Sequence, residues 1–347
     1  MKERIVWVDY VKAFCIFFIV LLHAGIEDPF KNFFRVFVIP AFFFISGLFF
    51  NTQKYPNVVS FFKERILKIL VSYLFFNILT YLFWLVIGRH FGADADLTEV
   101  NLLSPLLGIL LGDYLLLDHY RPFWFLACLI SVEIFAFFSL KNLSKKLSIL
   151  ILMLFFLIAF LDYYYKFIHL PWGLNIAFSM IIFFILGVFL SSYLLYSKPI
   201  KKEKNYTALI ILFSFFIVYY CANNNSEIKV FIREYGNYAL FIIGSLSGII
   251  FMISSFKLFA IYFPNVRFLQ FIGQNTLLIL VFHLIAFSAI KAVTYFILKL
   301  PLSIYENQWV VVCISISSIL LLYPVIIFFN KYLPFLIGKK THEISEK

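Results

Sequence analysis

Residues 4–25 read Arg4-Ile5-Val6-Trp7-Val8-Asp9-Tyr10-Val11-Lys12-Ala13-Phe14-Cys15-Ile16-Phe17-Phe18-Ile19-Val20-Leu21-Leu22-His23-Ala24-Gly25. The stretch is long enough to cross a bilayer as a helix, yet it carries an acid, a base and an imidazole, each of which costs free energy in hydrocarbon. At 100° per residue Asp9, Lys12, Ile16 and His23 fall within about 60° of one another, so the three polar groups share one stripe that cannot face lipid. His23 lies roughly 21 Å along the axis from Asp9, which runs that polar line from one surface well into the other half of the membrane. The remaining helices are expected to pack around it.

Working outward, the 347 residues are 63% hydrophobic and 14% charged, which places the chain among polytopic α-helical membrane proteins. The formal net charge is +11. Its placement makes it an orientation signal, and no nucleic-acid partner is expected. Cys15, Cys128, Cys221 and Cys313 each lie in an apolar run without C-x-x-C or Cys/His clustering, so they read as small buried hydrophobes; neither a disulfide nor a metal site is implied. The first run holds Asp9 and Lys12 and lacks a small-x-small cleavage site after it, so it reads as a retained span and not a signal peptide.

The hydrophobic pattern predicts an all-α bundle of about ten transmembrane helices at 5–25, 33–50, 66–88, 122–140, 148–165, 174–195, 206–221, 238–256, 274–298 and 309–330. Run 102–117 is interrupted by Pro105, Gly108, Gly112 and Asp113, and reads as a short half-inserted or surface helix. With the amino terminus inside, the inner segments hold 19 Lys and Arg and the outer ones 8, so both termini are expected in the cytoplasm, residues 331–347 forming a short cytoplasmic tail. Residues 1–347 then make one integral-membrane domain. The longest outer connection, 89–121, is acidic through Asp94, Asp96, Glu99, Asp113 and Asp118; the aromatics Tyr163, Tyr164, Tyr165 and Trp172 read as interfacial anchors.

An ionisable residue inside a span is by default a functional-site hypothesis, and His23 is the first candidate, ahead of a packed histidine bonded to a carbonyl. Asp9 and Lys12, at i and i+3, also suit a pair that merely anchors the helix end. Pro40 with Ser46 and Gly47 points either to a kinked cavity wall or to close packing alone. Lys63, Arg65 and Lys68 suit the phosphates of a cytoplasmic donor, or topology and lipid headgroups. His283 follows Asn275 and Thr276 on the ninth span, and nothing in the sequence shows whether it meets His23.

Taken together, Trp7-Val-Asp9-Tyr-Val-Lys12 through His23, Pro40-Ala-Phe-Phe-Phe-Ile-Ser46-Gly47, Lys63-Glu-Arg65-Ile-Leu-Lys68, Trp124-Phe-Leu126, Phe184-Ile-Leu-Gly187 and Ile272-Gly273-Gln-Asn275-Thr276 to His283 resemble the membrane acyltransferase-3 family, in its fucose 4-O-acetylase-like branch. The resemblance spans nearly the whole chain. It implies an O-acyltransferase of the bacterial cytoplasmic (inner) membrane. Such an enzyme moves an acyl group, usually acetyl, from acetyl-CoA or another acyl-CoA to a sugar hydroxyl of an envelope polysaccharide or its lipid-linked precursor. By position it implies a catalytic His23 with Asp9 and Lys12, donor contacts from Lys63, Arg65 and Lys68, and a substrate pocket with Ser46, Trp124, Asn275 and His283. Acyl-CoA is the co-substrate, with no permanently bound cofactor, and membrane lipid is a further partner. A homo-oligomer or glycan-synthesis complex stays open. Lys12 stands where many members have arginine, which removes a bidentate fork. A secondary transporter or flippase for a glycan precursor is the rival reading, because intramembrane His, Asp and Lys also build proton relays.

Overall fold

The computed structural model describes residues 5–90, 101–196 and 204–339. Of the residues used above, Arg4, Asp94, Asp96, Glu99 and six lysines of the positive-charge count (2, 198, 201, 202, 340 and 347) lie outside them.

Among the described residues ten helices are long and apolar enough to span: α1 Val6–Ala24, α2 Phe30–Leu48 and α3 Val58–Gly88, then, after the short α4 Leu103–Leu111, α5 Arg121–Leu140, α6 Lys146–Tyr165, α7 Pro171–Leu195, α8 Tyr206–Asn223 and α9 Tyr238–Tyr262, then, after the amphipathic α10 Arg267–Gln274, α11 Thr276–Ile297 and α12 Gln308–Tyr332. The expected all-α ten-span architecture is therefore the observed one. The nine residues of α4 cover only about 14 Å, too little to cross.

Burial separates an inner from an outer ring. Of the most apolar 18-residue window, 72% is buried in α5 and 61% in α1 and α2, against 17% in α6 and 22% in α8, so the latter two face lipid. α1 is the hub and touches α2, α9, α10, α11 and α12. It runs unbroken because Val6–Ala24 contains neither Gly nor Pro, and it stops at Gly25, whose left-handed φ of 100° lets its N–H reach the Leu21 carbonyl. The Tyr10 hydroxyl donates to the Phe263 carbonyl (2.7 Å) and accepts from the Val266 N–H (2.9 Å), clasping the turn between α9 and α10 onto α1.

Two local devices set the path of α2. Pro40 has no N–H to offer the carbonyl four residues back, and the helix breaks at Val36–Phe37; the Val36 oxygen takes the Ser245 hydroxyl of α9 instead, at 2.7 Å. Gly47 and Gly187 then let α2 and α7 cross at backbone contact. A methyl on Gly47 would sit 1.9 Å from the Phe184 oxygen, and one on Gly187 would sit 2.1 Å from the Phe44 oxygen.

Three expectations need correction. The third span begins at Val58, not at residue 66, because Asn57 and Ser60 form a reciprocal cap, and the charged Lys63–Lys68 run continues the helix. Residues beyond 330 are more than a tail: α12 continues to Tyr332, and Pro334–Ile337 forms a 3-10 turn whose Leu336 is buried, its carbonyl accepting from Ser72 at 2.6 Å. Cys313 is exposed on α12, whereas the other three cysteines are buried.

Candidate active site

A cavity of about 970 Å³ opens between α1, α2, α3 and α5, and the 228–231 connection, the first turns of α11 and the 337–338 segment also line it. Along α1 its wall is Lys12, Ile16, Ile19, Leu22 and His23. The eleven steps from Lys12 to His23 rise about 16 Å, so the cavity runs lengthwise through the bundle. His23 has exposed surface, and that surface belongs to the cavity wall.

The end near the amino terminus of α1 is lined by Lys12, Glu64, Arg65, Lys68 and Ser72. Arg65 sits in a fork with Glu133 of α5: its Nε donates to Oε2 at 2.7 Å and its Nη2 to Oε1. Glu133 is wholly buried, and both its oxygens are met by that guanidinium. This is how a carboxylate survives in the middle of an apolar helix.

The opposite end is lined by Arg35, Tyr114, Asp118, His119, Tyr120, Arg121 and Lys229. Arg35, Lys31 and Lys229 all converge on Glu227, the lysines at 3.0 and 2.8 Å. Hydrogen bonds from Lys229, Lys31 and Arg35 hold the Glu227 carboxyl well below its usual range, at about 2. The connection that carries it is built stiffly. Asn32 donates to the Ala222 carbonyl and accepts from the Ile228 N–H, and Asn225 bonds Tyr235 and Asn237. Burial pushes the His119 imidazole down to about 3, so it is neutral at physiological pH. The Arg121 guanidinium stacks 5.6 Å over Tyr114 and reaches Asp118 at 3.3 Å.

The family model described as acyltransferase domain matches residues 5–327, nearly the whole chain. The chain belongs to the acyltransferase-3 family. It is thus a multi-pass membrane acyltransferase. No curated protein and no solved structure matches it.

In this acyltransferase six of the ten candidate residues line one cavity: Lys12, His23, Ser46, Arg65, Lys68 and Trp124. The other four stand outside its wall. Asp9 lies at the edge of the α1 stripe and is buried against α10, where a methyl on Gly273 would meet the Asp9 carbonyl oxygen at 2.0 Å; its carboxylate is 3.5 Å from Gln274 Nε2. Lys63 is exposed on α3, off the cavity. Asn275 stands at the start of α11 in a polar knot, accepting from Asn330 (2.8 Å) and Lys339 (3.1 Å). His283 is fully buried behind His23, with ring centroids 5.0 Å apart. Its Nδ1 is 2.9 Å from the Leu280 oxygen, 3.1 Å from that of Ile279 and 3.3 Å from the Tyr120 hydroxyl.

The sequence reading missed Glu133, Arg35, Tyr120, Arg121 and Lys229. Glu133 gave a signal, since a lone acid inside an apolar run demands a partner. The others come from three stretches far apart in the chain, around residues 35, 120–121 and 229, that only the fold assembles.

Proposed function

We propose that the protein is an O-acyltransferase of the bacterial cytoplasmic membrane, moving an acyl group, acetyl by the family resemblance, from acyl-CoA on the cytoplasmic side to a sugar hydroxyl of an envelope glycan or its lipid-linked precursor. The observation that carries this reading is the single cavity that joins Lys12, Arg65 and Lys68 at one end to His23 and a second cationic mouth at the other. The cations at the amino-terminal end suit CoA phosphates. Arg65 keeps its remaining N–H groups for that contact while Glu133 fixes its direction. Lys12 and Lys68 add point charges. An extended pantetheine arm lying along α1 carries the thioester towards His23, and the acceptor enters from the far mouth.

There the imidazole of His23 takes the proton of the sugar hydroxyl while its oxygen attacks the thioester carbonyl carbon. The new C–O bond forms, the C–S bond breaks, and the departing thiolate takes the proton back from His23. Ser46 of α2 and Trp124 of α5 line the same cavity and shape the pocket. General-base assistance of this kind contributes about 10²- to 10⁴-fold, so His23→Ala should lose about that much activity while still reaching the membrane.

The test is to compare wild type and His23→Ala in membrane vesicles given radiolabelled acetyl-CoA, alongside the mass of surface glycan from cells with and without the gene. Loss of label and of one acyl mass per repeat supports the reading. Full activity in His23→Ala removes it, and unchanged acylation with altered glycan export favours the transporter.

A further inference from the structure

His283 sits where no acceptor or donor reaches it, with no exposed surface, packed against His23 at an interplanar angle of 66°. Its protonation is written in its surroundings. A carbonyl oxygen only accepts, and Nδ1 faces two of them, Leu280 at 2.9 Å and Ile279 at 3.1 Å. The third neighbour, the Tyr120 hydroxyl, gives its own proton to the Leu280 carbonyl at 2.9 Å and offers Nδ1 a lone pair at 3.3 Å. The proton of neutral His283 therefore resides on Nδ1, and Nε2 is a bare acceptor. That atom is buried without a hydrogen-bond partner. An unmet buried acceptor carries a real cost, about 1–3 kcal/mol, and here it lies beside the other imidazole.

We infer that His283 is a positioning residue for His23: its Nε2 accepts the N–H of one His23 nitrogen, which leaves the other His23 nitrogen unprotonated and turned to the cavity. Ring nitrogens stand roughly 1 Å out from their centroids, so a 5.0 Å spacing permits a nitrogen–nitrogen hydrogen bond of about 2.7–3.2 Å once the His23 ring turns about its Cβ–Cγ bond. When His23 takes the acceptor's proton, the same lone pair stabilises the imidazolium. The arrangement fixes the tautomer of a base through its second nitrogen, as a carboxylate does in hydrolytic triads, with a neutral ring in that place. Arg35, Asp118, His119 and Arg121 line the mouth that His23 faces and share its electrostatic field; His283 is the group behind it. The inference rests on the reading of His23 as general base.

The test uses the full chain in membrane vesicles, with labelled acetyl-CoA as donor and polysaccharide from the producing cells as acceptor. His283→Leu removes the acceptor atom, and His283→Gln supplies an amide oxygen in its place. His283→Leu is expected to lower kcat about 10- to 100-fold with KM for acetyl-CoA unchanged. Its acid limb of kcat should move to lower pH, because His23 without that lone pair is a weaker base. His283→Gln should restore most of the rate and return the limb towards wild type. Equal loss in both variants with an unmoved limb, or wild-type activity in His283→Leu, overturns the inference. Gel filtration in detergent identifies a variant that fails to fold, and His283→Gln, close in volume and still able to accept, then decides by its pH limb alone. Activity in His23→Ala would instead mark failure of the underlying reading.

Discussion

The two ends of the cavity hold their positive charge by opposite means. At the amino-terminal end Arg65 is locked by Glu133, a carboxylate with no exposed surface, inside the body of two helices. At the far end three cations share Glu227, which is 39% exposed, on a connection stiffened by asparagines. The first arrangement is desolvated, so it depends on both partners being present. The second is bathed in solvent and screened within a Debye length of about 8 Å, so it tunes the local field with little hold on the fold. One end is architecture that also offers charge to a ligand; the other is charge arranged on a scaffold made elsewhere.

The largest test of this contrast is Arg65→Ala. It leaves Glu133 buried without its partner and should cost about 3–5 kcal/mol, read as a lower midpoint of thermal unfolding in detergent. Arg65→Lys should fall between it and wild type, because an ammonium cannot reproduce the two-pronged contact. An Arg65→Ala variant as stable as wild type would erase the distinction between the two ends. Next in size, Lys68→Ala removes an exposed cation from the cavity wall while leaving the Arg65 fork intact. Loss of one exposed charge contact of about 1 kcal/mol corresponds to about a five-fold rise in KM for acyl-CoA, with unfolding unchanged.

The smallest effect belongs to Glu227→Gln, expected within about 0.5 kcal/mol of wild type in the same unfolding assay. Its pH dependence has a definite sign. The folded carboxyl titrates near 2 against an ordinary 4.5, so its small contribution is complete above about pH 4.5 and fades as pH falls towards 2. Wild type and Glu227→Gln should therefore converge in that acid window and separate only above it. A large loss at neutral pH would show that this end, too, is structural.

The bundle itself was readable from hydropathy because a bilayer forces every span to advertise its length. The exception was the start of the third span, where Lys63, Glu64, Arg65 and Lys68 suppress hydropathy although the Asn57–Ser60 cap begins the helix. The α1 stripe was readable for Lys12 and His23, which share the cavity wall. Asp9 was placed with them by a 100° rotation that locates it only at the stripe's margin, and the approach of Gly273 decides which neighbour it meets. His283 was visible as an intramembrane histidine, but that its ring lies edge-on to His23 depends on how α1 and α11 pack. Arg35, Arg121 and Lys229 carry no local signal at all. Three stretches far apart in the chain bring them to one mouth.

The crossing of α2 and α7 has a mechanical consequence. With Gly47 seated on the Phe184 carbonyl and Gly187 on that of Phe44, sliding either rod by one residue, about 1.5 Å, drives a side chain into main-chain oxygen. The pair behaves as a keyed shaft. Any breathing that admits a substrate is thus left to the other walls, while the side bearing Ser46 keeps its shape.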